Sequence, residues 1–125
     1  MQKKAVRIVK GAKYNEHTNP LFKQFKIMKL QDLYRTHVAK YMYNLSKGTL
    51  PVSLMNIIKY NTSIHTHDTR NKNNPHVTQR RTNIASKSLR HKGPEIWYQI
   101  PEHIQSKKTV KTFASQLKKH IIDSY

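Results

Sequence analysis

Leu30, Leu33, Tyr34, His37, Val38, Tyr41, Met42 and Leu45 alternate spacings of three and one within residues 29–47, KLQDLYRTHVAKYMYNLSK. That is the period of an amphipathic α-helix. At about 100° per residue the eight side chains cover roughly half the cylinder. Asp32, Arg35, Thr36, Lys40 and Lys47 lie on or beside the other half. Gly48 follows the last apolar position, where a residue free to turn left-handed closes a helix. No other stretch carries so long a periodic face, so the rest of the chain must pack around this helix.

Little material is available for that packing. Leu, Ile, Val and Phe number 28 of 125 residues, or 22%. This lies just above the level of about 20% below which a highly charged chain fails to fold. The expectation is one small helical domain with a thin core, long irregular connections and marginal stability.

Charge says more about partners than about fold. Against 24 Lys and Arg stand six acidic residues, a net +18. Compaction gathers like charges at a free-energy cost that a polyanion removes. Nucleic acid is the commonest such partner, through phosphate contacts and counterion release. An anionic membrane is the rival, but it requires an apolar anchor or a basic amphipathic helix. No apolar run approaches spanning length, and the basic start MQKKAVRIVKGAK lacks the apolar stretch of a signal peptide. The absence of Cys excludes a disulfide framework and any Cys-ligated zinc site.

Along the chain, residues 2–9 read as a short helix with Ala5, Ile8 and Val9 on its apolar side and Gly11 as its stop. Asn19-Pro20 is a second start signal, leading through Leu21, Phe22 and Phe25 towards the main helix. Pro51 opens another short helix with Leu54, Met55 and Ile58 inward. Residues 61–83 hold only Ile64 and Val77 as aliphatics and read as an extended connection with one or two short strands at most. Gly93-Pro94 starts a short turn carrying Ile96 and Trp97, which Pro101 interrupts. Ser106 caps a last helix with Val110, Phe113, Ala114, Leu117 and Ile121 on one face. The expected fold is therefore mainly α, in three parts: a helical 1–60, a basic and polar connection 61–92, and 93–125 with the Trp-containing turn and the C-terminal helix.

Catalytic constellations are missing. Glu16, Asp32, Asp68, Glu95, Glu102 and Asp123 form no closely spaced pair of the kind that holds Mg²⁺ for phosphoryl transfer. There is no Gly-rich phosphate loop and no His-Glu-x-x-His. His65, His67 and Asp68 have a spacing a metal could use, but with no Cys or second His pair they read as polar loop. His37, on the apolar face of the main helix, reads as a hydrogen-bonded core residue. Trp97, the only Trp, is expected to be buried. Its neighbour Tyr98 is the freer candidate for stacking on an unpaired base. The candidate phosphate contacts are Arg70, Lys72, Arg80, Arg81, Lys87, Arg90 and Lys92 in the middle of the chain, and Lys107, Lys108, Lys111, Lys118 and Lys119 near its end.

The series QKKAVRIV, HTNPLFKQFKIMKLQDLYRTHVAKYMY, HTHDTRNK, KSLRHKGPEIWYQIP and KTFASQLKKHII resembles the region after the polymerase core in jockey-like LINE (non-LTR) retrotransposon reverse transcriptases. The correspondence runs through Gln2, Arg7, Ile8, His17, Pro20, Leu21 and Phe22, then Leu30, Leu33, Tyr34, Thr69 and Arg70. It closes on Gly93, Pro94, Trp97, Pro101, Phe113 and Leu117. Tyr98 departs from the Asn that usually follows the Trp. The resemblance implies an RNA-directed DNA polymerase whose fingers, palm, catalytic aspartates and endonuclease would precede residue 1. The present residues would then be a thumb-proximal, non-catalytic part with no cofactor, holding RNA or an RNA–DNA hybrid beside the palm and fingers. The alternatives are a segment that only packs on the polymerase, and a free-standing basic RNA-binding protein.

Overall fold

A computed structural model describes residues 1–125. The chain is mainly helical, with eight α-helices, one 3₁₀ turn and no β-strand. The helices are α1 (Gln2–Lys10), α2 (Asn19–Gln24), α3 (Leu30–Ser46), α4 (Val52–Met55), α5 (Asn83–Lys87), α6 (Leu89–Tyr98), α7 (Glu102–Gln105) and α8 (Val110–Asp123). No helix is long and apolar enough to cross a membrane. Contacts group the residues into two units: Met1–His37 with Lys107–Tyr125, and Val38–Ser106.

In the first unit the core gathers Val6, Leu21 and Phe22, with Ala12 and Tyr125 packed against them. α2 packs on both α1 and α8. The sequence expectation for α1 needs correction: Ala5, Ile8 and Val9 face outward and Val6 is the buried residue. The helix docks along the stripe Gln2, Val6, Lys10, which recurs every four residues. Gln2 donates to the Met28 carbonyl at 3.0 Å and accepts from the Leu30 N–H at 3.0 Å. Lys10 donates to the Gln24 side chain at 2.7 Å. Polar anchors at both ends outweigh the few apolar side chains in deciding which face turns inward.

Three helices end in the same closed turn. In each, a residue one (α1) or two (α2, α3) past the last helical residue has left-handed φ, and the helix's final carbonyls accept from the turn. α1 ends this way at Gly11 (φ 68) and α3 at Gly48 (φ 67). Gly11 and Ala12 donate to Ile8 and Arg7, while Gly48 and Thr49 donate to Leu45 and Asn44. At the end of α2 the left-handed position belongs to Lys26 (φ 54), with Lys26 and Ile27 donating to Lys23 and Phe22.

α3 spans nearly the expected 29–47, but its predicted face is only half buried. Val38, Met42 and Leu45 are inside, whereas Leu30, Leu33 and Tyr34 are 70%, 41% and 51% exposed. His37 is exposed too, which corrects its reading as a core residue. Ala39 and Tyr43, absent from the predicted stripe, are buried.

The second unit is built on the later turns of α3 together with α4–α7. Gly93 lies in the interior of α6, and a Cβ built there would stand 2.9 Å from Met42 Sδ and 3.4 Å from Ile58 Cδ1. A side chain at 93 would collide, so glycine is what allows the close approach of α6 to Met42. This also explains a misread boundary: Gly93-Pro94 is not a helix start but sits within α6, which begins at Leu89. Trp97 is buried as expected. Leu54, predicted inward on α4, is 40% exposed. The polar connection holds a 3₁₀ turn at Asn61–Ser63, α5 and a single bridge between Tyr60 and Pro75 in place of strands. The last helix starts three residues later than predicted, since Thr109 and not Ser106 caps it, accepting from the Thr112 N–H at 3.2 Å.

Candidate nucleic-acid interface

Carboxylates neutralise few of the cations. Arg35 meets Asp32 at 3.9 Å, Lys72 meets Asp68 at 2.5 Å and Lys92 meets Glu95 at 2.8 Å. The hydrogen bond from Lys92 holds the Glu95 carboxyl below its usual range, with the charges of Lys92, His91 and Arg80 acting the same way. Two of the predicted phosphate contacts, Lys72 and Lys92, are thus engaged within the fold.

In the second unit a groove of about 460 Å³ is lined by Arg80, Arg90 and His91 with Gln79, Thr78 and Ser88. Both arginines are exposed, but Arg90 Nε donates to the Ile57 carbonyl at 3.2 Å. His91 Nδ1 lies 3.1 Å from the Thr78 carbonyl, and its Nε2 lies 3.7 Å from Glu95. Arg90 and His91 thus also hold the fold. Arg70, Arg81 and Lys87 are exposed outside this groove. Tyr98 is about half exposed, yet its hydroxyl donates to the Pro75 carbonyl at 2.9 Å, so one edge of the ring is tied down.

Asn61, His65, His67, Thr69, Lys72 and His76 line a cavity of about 340 Å³. Its imidazoles do not make a metal centre. No three His, Asp or Glu groups come together as ligands, Asp68 is paired with Lys72, and the Lys72 ammonium shares the cavity.

The first unit holds the denser cationic site. Ser115, Lys118, Lys119 and Ile122 recur at i, i+3, i+4 and i+7 and form one side of α8. With Asp123, and with Lys23 and Lys26 from α2 and its closing turn, they line a groove of about 480 Å³. Lys23 donates to the Asp123 backbone carbonyl at 2.9 Å, which fixes the end of α8 against α2. Lys26, Lys118 and Lys119 are exposed. Lys111 lies about 20° round the helix from Lys118 and roughly 10 Å along it, and continues the same side. Lys108 precedes the helix and is exposed, while Lys107 is partly covered.

Of the twelve cations predicted from sequence, the structure therefore brings Lys118 and Lys119 into one groove and Arg80 and Arg90 into another. Sequence reasoning missed Lys23 and Lys26. Their signal was a pair three residues apart at the end of a short helix, but nothing local tells that α2 will lie on α8. Comparison with protein-family models, with curated proteins and with solved structures finds no match to this chain.

Proposed function

We propose that the chain binds RNA, or an RNA–DNA hybrid, through backbone phosphates, and that it does so as a non-catalytic part of a LINE-type reverse transcriptase. The observation that carries the binding is the groove of the first unit, which two sequence-distant segments line with four lysines and one aspartate. Point charges on flexible stems suit phosphates, which position a strand without reading its sequence. The retrotransposon assignment rests on the series of motifs described above.

Filter binding of an RNA oligonucleotide in rising salt tests the reading. The logarithm of the affinity should fall linearly with the logarithm of the salt concentration, by about 0.7 per phosphate neutralised on a single strand. Affinity indifferent to salt rules the mechanism out.

One feature favours a second reading, a segment that packs on a neighbouring protein domain. Leu30, Leu33 and Tyr34 lie at i, i+3 and i+4 on α3 and remain exposed, the arrangement of a helix face awaiting a partner. Under that reading the chain alone melts without a cooperative transition and binds nucleic acid weakly. Circular dichroism through a thermal melt separates the two.

A further inference from the structure

The groove of the first unit contains more than cations, and the additional group points to one kind of strand. Asp123, on α8, lines the groove together with four lysines. Its carboxylate makes no ion pair with any of them; the only bond between Asp123 and the lysines is from Lys23 to the backbone carbonyl. A site evolved for phosphate alone gains nothing from an anion beside it, which repels the ligand. A carboxylate among phosphate-binding lysines has a use when the ligand also carries a hydroxyl donor. An ionised carboxylate only accepts hydrogen bonds, and the sugar hydroxyl is what separates RNA from DNA. The space fits such a unit, since pockets from about 300 Å³ upward hold small ligands and this one is about 480 Å³.

We propose that this groove is a ribonucleotide site, in which Lys26, Lys118 and Lys119 take the backbone phosphate and the Asp123 carboxylate accepts a hydrogen bond from the ribose 2′-hydroxyl. The proposal rests on the backbone-binding reading above and sharpens it from nucleic acid in general to the RNA strand. Lys23 acts as a positioning residue, because its bond to the Asp123 backbone carbonyl holds the end of α8 that carries Asp123. Ser115 and Ile122 complete the wall without selecting a base.

The test uses the full chain and three single strands of one sequence: RNA, DNA, and RNA with 2′-O-methyl sugars, which keep the RNA sugar pucker but lack the donor. The unaltered chain should bind RNA about fivefold more tightly than either other strand, as expected of one partly exposed hydrogen bond to a charged acceptor. Asp123→Ala removes the acceptor and should bring the three affinities within about twofold of each other, because the carboxylate's repulsion of phosphate is common to all three strands and only RNA loses a hydrogen bond. Replacing Lys118 and Lys119 together by Gln should weaken all three strands alike and lower the salt slope by about 1.4, two single-strand charges. These side chains are exposed, so helicity should be unchanged, and circular dichroism verifies it. Equal binding of the three strands by the unaltered chain, or an RNA preference that survives Asp123→Ala, overturns the sugar assignment. A salt slope untouched by the lysine pair overturns the groove as the phosphate site, while Arg80 and Arg90 variants then locate the strand elsewhere. Failure of the unaltered chain to bind RNA in a salt-dependent way would instead sink the backbone-binding reading itself.

Discussion

Tyr125 shows how one side chain can be tied down without being deeply buried. Its hydroxyl donates to Asp32 Oδ2 at 2.6 Å and accepts from the Lys29 N–H at 3.0 Å. Its ring meets Phe22 edge to face at 6.2 Å, and the Lys29 ammonium lies 4.1 Å from the ring centre. Burial and the hydrogen bond to Asp32 push its pKa from 10.0 up to about 12. Because the folded chain keeps this phenol neutral longer than the unfolded chain does, its contribution is complete below about pH 10 and is lost as pH climbs towards 12. Tyr125→Phe keeps the ring and removes the hydroxyl, and should cost about 1.5 kcal/mol near neutral pH, the value of a hydrogen bond to a charged acceptor. Urea melts of both proteins should show that difference shrinking through the alkaline range. A gap that stays constant would mean the phenol does not titrate as described.

At the scale of elements, periodicity was a good guide to where helices lie and a weaker guide to which face they bury. The span of α3 and the stops at Gly11 and Gly48 were legible because they depend on local rules: a 3.6-residue repeat, and a left-handed position that glycine occupies without strain. The buried side of α1 was not legible, since it is chosen by Gln2 reaching residues 26 and 28 positions away. α8 adds a similar case. Ile121 continues the stripe of Phe113 and Leu117, yet Ile122 is the more buried of the two. At about 100° per residue Ile122 lies half a turn from Phe113, on the side that forms the groove with α2. The candidate site was half legible for this reason: Lys118 and Lys119 could be read from their helix, but their partners Lys23 and Lys26 depend on tertiary packing. For α1 the expected outcome is specific. Gln2→Ala should destabilise by about 1–2 kcal/mol through two lost hydrogen bonds, whereas Ile8→Ser should change stability by under about 0.5 kcal/mol because the side chain is already in solvent. Equal effects in chemical denaturation would contradict the docking stripe.

For the molecule as a whole, a net charge of +18 on 125 residues makes ionic strength a structural variable. Few cations are paired, so screening should relieve more repulsion than it removes attraction. The melting temperature should therefore rise between low and physiological salt, and a short polyphosphate should raise it further at constant ionic strength. A fall on adding salt would show that the ion pairs at Asp32, Asp68 and Glu95 matter more than the surplus. The turn after α2 carries a related consequence. Gly11 and Gly48 occupy their left-handed positions freely, but Lys26 holds the same conformation against steric resistance of roughly 1 kcal/mol. Lys26→Gly should accordingly yield a sturdier protein that grips its strand less well. The chain forgoes some toughness at that corner to keep an ammonium at the mouth of the groove, and in Lys26→Gly melting temperature and affinity should part company.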